Sequence, residues 1–321
     1  MGTPKISVVI VFYNMRREAK RTLFSLTTEY QKDISIQDYE VIVIDSGSSE
    51  PLDADFVKGI QENFYYRFIQ PDCPSPCQAM NEGARLANAN IILNIIDGAR
   101  ILSPGILNHV LMAFRLFDNP LVATVGMHVG KKIQNEAMLD GYNSEVEDQL
   151  LSTINWREDG YRLFEVSCLA GSSKQGYFIT PSESNCFAVL KSTLEAVGGF
   201  NEKFRTRGGG LVNLDVFQKI LSLEGVRLVI ILGEATFHQF HGGVATNVLI
   251  QNHPWNEFAE EYRQIYLKDY QDQQYKSVFY MGEMRESIRR FLIVDIYSAS
   301  NVVDTKNKRS LARRFYQFIK G

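Results

Sequence analysis

Apolar residues along this chain alternate between two spacings. Ile6-Ser7-Val8-Val9-Ile10-Val11-Phe12 is a nearly continuous β-branched run, the pattern of a strand buried on both faces of a parallel sheet. Beyond Tyr13 and Asn14, Ala19, Leu23 and Leu26 recur at helical spacing in a charged stretch, which predicts an amphipathic helix packed back on that strand. Tyr39 to Ile44 reads as a second strand that stops at the turn formers Asp45-Ser46-Gly47-Ser48-Ser49, and Phe64 to Gln70 as a third. Met80, Ala84 and Ala87 mark the next helix, which leads to a buried strand at Ile91 to Ile96 ending in Asp97-Gly98-Ala99-Arg100. Ser103 is placed to cap a following helix, with Pro104 at its first position and Leu107, Val110, Leu111, Phe114 and Phe117 on its buried face. Leu121 to Val125 reads as a fifth strand.

Strands alternating with helices predict a doubly wound α/β sheet, whose ligands bind beyond the carboxyl ends of the strands. That rule singles out Phe12 to Asn14, Asp45 to Ser48 and Asp97 to Arg100. Between residues 131 and 185 the periodicity weakens and Gly, Ser and polar residues accumulate, as in substrate-holding loops. A capping-box pattern at Ser192 to Glu195, a helix around Leu214, Phe217 and Leu221, strands at Val226 to Leu232 and Ala235 to Phe237, and a helical region after residue 251 complete the reading. The expected organisation is therefore a nucleotide-binding half at 1–130, an acceptor-binding and catalytic half at 131–250, and a C-terminal helical extension at 251–321.

Composition narrows the function. A chain of 321 residues with net charge −3 has no global field for a polyanion, so nucleic acid is not an expected partner. No apolar run reaches the ~18 residues of a membrane span and no signal-peptide pattern follows Met1, so the expected location is cytoplasmic. Cys73, Cys77, Cys168 and Cys186 are too few and scattered for a disulfide framework. The segment from Lys306 to Gly321 holds six basic residues and no acid, with Leu311, Phe315, Phe318 and Ile319 as an apolar stripe that follows Ile288, Phe291, Leu292 and Ile296. Such a tail can lie on an anionic membrane, dock on the enzyme's own body, or meet a second subunit in a homo-oligomer.

Four elements, in order, resemble the family-two glycosyltransferases of GT-A type: Val8 to Phe12 with its helix; Val41 to Ser48; Asn81-Glu82-Gly83-Ala84 through Asp97-Gly98-Ala99; and Gly198-Gly199-Phe200-Asn201-Glu202. The resemblance implies a GT-A-type mixed sheet and transfer of a sugar from a nucleotide sugar, a UDP-sugar, to a glycan or lipid-linked hydroxyl acceptor with inversion, in cell-surface glycan synthesis. It implies that Asp45 accepts the imide N–H of a uracil-like base lined by Phe12 and Tyr13, with Asn14, Ser46, Asn81 and Gly98 in the donor-binding set. A carboxylate suits that donor edge; the alternative is that Asp45 only caps its turn.

In this family the fourth strand ends in Asp-x-Asp, where the first Asp contacts ribose and the second binds a divalent metal. Here the pair is Asp97 and Ala99. A hard cation such as Mn2+ or Mg2+ needs oxygen ligands, so the resemblance leaves the metal without one carboxylate. His238 and His241 lie where the family places a histidine near the diphosphate, and either could ligate a metal with Asp97. Arg100, Arg205 and Arg207 could instead meet the diphosphate directly, the last two ahead of a Gly208-Gly209-Gly210 run that reads as a mobile loop. The family's catalytic Glu-Asp pair falls on Val212-Asn213, and an amide cannot take a proton as a carboxylate does. Asp215 is therefore the expected base, with Glu183 in reserve. Trp156 and Tyr161 are expected to form acceptor platforms, since aromatic faces stack on sugar C–H groups, although each could equally anchor a core.

Ala99 and Asn213 also fit a degenerate GT-A domain that binds a nucleotide sugar or glycan without turnover. A Rossmann oxidoreductase is excluded by the absence of a GxGxxG after the first strand, and a nucleotidyltransferase by the absence of a Gly-rich basic loop there.

Overall fold

The computed structural model of the protein describes residues 2–272 and 277–292. Ile296, Leu311, Phe315, Phe318, Ile319 and the basic segment of the tail lie outside the described residues. The strands are β1 (Ile6–Phe12), β2 (Tyr39–Ser46), β3 (Phe64–Ile69), β4 (Ile91–Ile95), β5 (Arg100–Leu102), β6 (Pro120–Val129), β7 (Ser167–Leu169), β8 (Cys186–Leu190), β9 (Arg227–His238) and β10 (Phe279–Gly282). The helices are α1 (Arg16–Phe24), α2 (Ala54–Ile60), α3 (Cys77–Leu86), α4 (Ile106–Leu116), α5 (Gln134–Ala137), α6 (Ser144–Ser152), α7 (Lys191–Ala196), α8 (Val212–Leu221) and α9 (Trp255–Tyr266).

One mixed sheet runs β10-β9-β6-β8-β4-β1-β2-β3, with β5 added beside β9 and β7 beside β6. The β2-β1-β4 core is parallel, and β8 runs antiparallel to both β4 and β6. The doubly wound mixed sheet expected from the sequence is thus present. Its two-sided burial is visible in β1, where Ile6, Val8, Ile10 and Phe12 join one apolar cluster while Val9 and Val11 join the other. Successive side chains of a strand point to opposite faces, so a run buried at every position needs helices on both.

Several local readings change. The two strands expected at Val226 to Leu232 and Ala235 to Phe237 are one strand, β9, kinked at Gly233. Gly233 has φ +78°, and a Cβ there would sit 1.9 Å from the Glu283 carbonyl oxygen, so only glycine fits the kink. Ser103 does not cap α4, and Pro104 precedes that helix rather than opening it. The Ser103 hydroxyl instead donates to Glu234, whose carboxylate accepts the Gly105 N–H at 3.0 Å at the entrance to α4. A residue brought in by the β9 kink does the work expected of a local side chain. Ser192 likewise makes no cap, because α7 starts directly after β8 with no side-chain cap bond. Cys186–Leu190, unassigned from the sequence, forms the antiparallel β8 between β4 and β6.

Candidate functional site

The parallel register puts the carboxyl ends of β1, β2 and β4 side by side. Asn14 ties two of them together: its N–H donates to the Ser48 hydroxyl at 2.8 Å, and its Oδ1 accepts from the Ser49 N–H at 2.9 Å. It does so with φ +52°, a left-handed conformation that Asn tolerates better than most residues. Tyr13 is 39% exposed, with the Arg207 guanidinium 5.6 Å from its ring centre. Beyond β4, the chain turns at Asp97 into β5, and the antiparallel register Arg100↔His238 brings the end of β9 against it. The same row continues through His238↔His128 of β6 and His128↔Cys168 of β7.

Asp97, His238 and His241 thereby converge. His238 Nε2 lies 3.0 Å from Asp97 Oδ2 and 3.2 Å from His241 Nε2, and His241 Nε2 lies 3.8 Å from Asp97 Oδ1. The proton positions follow from the surrounding bonds. Asn247 Oδ1 accepts three backbone N–H groups, from His241, Gly242 and Gly243, so its Nδ2 must be the group that donates to Gln134 Oε1 at 2.8 Å. Gln134 Nε2 donates to the His238 carbonyl. Gln134 Oε1, an acceptor, is then 2.8 Å from His238 Nδ1, which must carry the proton. Burial pushes the His238 imidazole down to about 4, against the pull of Asp97. The ring is neutral at pH 7, and its Nε2 lone pair faces an anionic oxygen.

Two acceptors 3.0 Å apart call for a cation between them. Asp97, His238 and His241 can each offer one ligand atom, all within 4.8 Å of one another, so the donor set fits a divalent ion. Two imidazoles and a carboxylate favour a first-row transition ion such as Mn2+ over Mg2+. Gln134 supplies the outer hydrogen bond that fixes the ring of a metal-binding histidine. Burial raises the Asp97 carboxyl, but the positive charge that His241 and His238 carry when protonated, together with that of Arg100, outweighs it and holds the group well below the usual carboxylate range. Arg100 is only 5% exposed; its Nε is 3.4 Å from Asp97 Oδ2, and its Nε and Nη1 make no hydrogen bond among the described residues. A buried guanidinium with unmet donors is prepared for an anion. Ala99 is fully buried and contributes backbone groups alone: its N–H donates to Asp97 Oδ1 at 3.0 Å and its carbonyl accepts the Gln239 N–H at 2.8 Å.

Other expected site residues are placed differently. Asp45 is fully buried, and its carboxylate accepts the N–H of Ser48 and, at 2.7 Å, of Leu52, so it holds the turn after β2. Ser46 is buried, and Phe12 is fully buried beneath Gly98, where a Cβ would meet the ring at 2.3 Å. Asn81 turns to the Gly-Gly-Phe segment, with Oδ1 accepting the Phe200 N–H and Nδ2 donating to the Phe200 carbonyl and Glu202. Arg205 pairs with Asp72 at 3.3 Å. Gly208, Gly209 and Gly210 form a turn with φ +78°, +85° and +55°, a backbone requirement that glycine meets at each position. Trp156 and Tyr161 are 5% and 7% exposed, which corrects their reading as open platforms. Trp156 packs edge-on against Phe24 and Tyr30, and the Tyr161 hydroxyl donates to Glu234 at 2.7 Å.

Asp215 is 4% exposed, on the first turn of α8, and its carboxylate pairs with Lys219 Nζ at 2.9 Å on the side facing Tyr266 of α9. Asn213, two residues earlier, faces the other way: its Nδ2 donates to Glu183 Oε2 at 2.9 Å and to the Ser184 carbonyl. The structure therefore brings the reserve carboxylate, not Asp215, toward the strand ends.

The supporting residues Gln134, Asn247, Glu147 and Arg17 have no signal in the sequence. Glu147 of α6 accepts the Phe240 N–H at 2.7 Å and the Arg17 guanidinium at 2.9 Å, and Arg17 also donates to the Phe240 carbonyl. This pair grips the backbone between His238 and His241. Only the fold reveals it, since the three segments are far apart in sequence.

Comparison with known proteins gives the fold its relatives. The structure is similar to that of S. aureus TarS, with TM-score 0.51 and 12% identity over 81% of this chain and 39% of that one. It is also similar to S. aureus TarS 1-349 in complex with UDP-GlcNAc, with TM-score 0.50 and 13% identity over 81% of this chain and 65% of that one. The chain thus spans about two fifths of the length of the longer TarS chain. No curated protein sequence matches it. Residues 7–229, which carry β1 through the start of β9 and every strand end of the candidate site except that of β9, match the model of glycosyltransferase-like family 2, and the chain belongs to that family.

Proposed function

We propose that this protein transfers a sugar from a UDP-sugar to a hydroxyl acceptor, a glycan or a lipid-linked sugar in cell-surface glycan synthesis, with inversion at the anomeric carbon. The observation that carries the reading is the convergence of Asp97, His238 and His241, with His238 Nε2 3.0 Å from Asp97 Oδ2. Those three residues would hold a divalent cation, which neutralises charge on the leaving diphosphate when bound. Arg100 adds a fixed positive charge with unmet N–H donors, and Arg207, over the Tyr13 ring, is the second guanidinium on the donor side. The base and ribose would lie over Tyr13 and the turn held by Asp45 and Asn14; Asp45 retains lone pairs for the imide N–H beyond those its turn uses. The TarS neighbour solved with UDP-GlcNAc makes that compound the first donor to try.

Ala99 and Asn213 favour the second reading, a domain that binds donor without turnover. UDP release from UDP-GlcNAc and other UDP-sugars with Mn2+, compared in the parent and in Asp97→Asn, separates the two. Turnover that falls at least tenfold in the variant supports the enzyme. UDP binding without release from any donor supports the binding domain. Among the described residues no helix is long and apolar enough to cross a membrane.

A further inference from the structure

Sequence position and spatial position disagree for the catalytic base. The helix position where a carboxylate is expected holds Asn213, whose amide cannot accept the acceptor's proton. The same space nevertheless contains a carboxylate. β8 runs antiparallel to β4 with Ile95 opposite Cys186, so Ser184 and Glu183, upstream of β8, continue past the same sheet end as Asp97. Asn213 Nδ2 reaches Glu183 Oε2 at 2.9 Å and the Ser184 carbonyl at 3.2 Å, pinning the segment to the first turn of α8. Asn213 Oδ1 is buried with no hydrogen-bond partner among the described residues, an unmet acceptor beside that carboxylate.

We propose that Glu183 is the catalytic base and that Asn213 is its positioning residue, the carboxylate having moved from the helix to the strand that faces it. This assignment rests on the sugar-transfer reading above. In the step, a Glu183 carboxylate oxygen takes the proton of the acceptor hydroxyl while the hydroxyl's own oxygen forms its bond to the anomeric carbon. The bond from the anomeric carbon to the diphosphate oxygen breaks, and its electron pair leaves on UDP. Charge and atoms balance, with protonated Glu183 and the glycoside as products beside UDP.

The surroundings suit the role. Burial raises the Glu183 carboxyl above its ordinary value, against the Asn213 hydrogen bond and the Arg100 charge that lower it. A base so raised holds a proton more firmly than a solvated glutamate. Asp215, by contrast, is 2.9 Å from the Lys219 ammonium.

The test exchanges the two groups. UDP release from UDP-GlcNAc with Mn2+, with water as the accepting hydroxyl, is measured beside UDP affinity in the parent, Glu183→Gln, Asn213→Asp and the double variant Glu183→Gln/Asn213→Asp. Glu183→Gln should bind UDP within about twofold of the parent and lose at least ~100-fold in turnover, the usual share of a general base. Asn213→Asp alone should also slow, because two carboxylates would meet where one is held by an amide. The double variant restores a carboxylate facing an amide and should recover at least tenfold over Glu183→Gln. Parent-like turnover in Glu183→Gln, or a double variant no better than Glu183→Gln despite normal UDP binding, would overturn the assignment. A parent that binds UDP but releases none from UDP-GlcNAc or other UDP-sugars overturns the transferase reading itself, and with it the base.

Discussion

Replacing Gln134 by Met keeps the side chain's length and removes its amide, and it tests the arrangement on which the cation site depends. The substitution strips three buried bonds at once: the acceptor of His238 Nδ1–H at 2.8 Å, the acceptor of Asn247 Nδ2 at 2.8 Å, and the donor to the His238 carbonyl at 3.1 Å. Leaving a buried polar group unpaired costs about 1–3 kcal/mol, and partial relaxation favours the lower figure. Three such groups predict a loss of about 3 kcal/mol in stability, read from urea denaturation in EDTA. The same change frees the His238 ring to turn or to shift its proton, so Mn2+ affinity should fall about 10–100-fold, as for other outer-shell partners of ligating histidines. A loss under about 1 kcal/mol together with unchanged Mn2+ affinity would show that Gln134 does not set the ring, and the lone-pair argument would collapse.

Glu147 should give the protein an unusual pH response. Burial pushes its carboxyl up to about 7, although the Phe240 N–H and the Arg17 and Arg21 guanidinium groups lower it. The folded state therefore holds this proton more tightly than the unfolded chain, and stability falls as pH rises from the ordinary value of 4.5 to about 7, by at most about 3 kcal/mol. Denaturation midpoints across that window should show the decline in the parent and a flatter profile in Glu147→Gln; identical slopes would refute it. Tyr161→Phe leaves a Glu234 oxygen without its donor and should cost about 1–3 kcal/mol with no change in the KM for an acceptor. A raised acceptor KM at full stability would return Tyr161 to the acceptor site.

The parallel half of the fold was legible because each strand there is a continuous apolar run ended by turn formers, and because its ligand end follows from connectivity alone. Asp97 stands at such an end, and His238 and His241 follow from the family resemblance, but their convergence depends on the antiparallel pairing of the three-residue β5 with β9, too short to show a period. Trp156, Tyr161 and Asn81 misled for one reason: each polar or aromatic group has its partner on a distant segment, and a residue satisfied at long range looks available when only its neighbours are visible. Asp215 is the carboxylate nearest in sequence to the expected pair, yet two residues along a helix turn a side chain to the opposite face, toward Lys219. Glu183 meets Asn213 only through β8, a strand without a clear signature in the sequence.

The central claim is that Asp97, His238 and His241 hold a cation that joins UDP to this protein. Calorimetric titration of UDP in saturating Mn2+ and in EDTA tests it directly, with His238→Ala as the companion. UDP should bind at least tenfold more tightly with Mn2+ in the parent, and the difference should vanish in His238→Ala while binding in EDTA stays the same. Equal affinities in the two buffers, with a large loss on Arg100→Ala, would contradict the account and leave the diphosphate to the arginines.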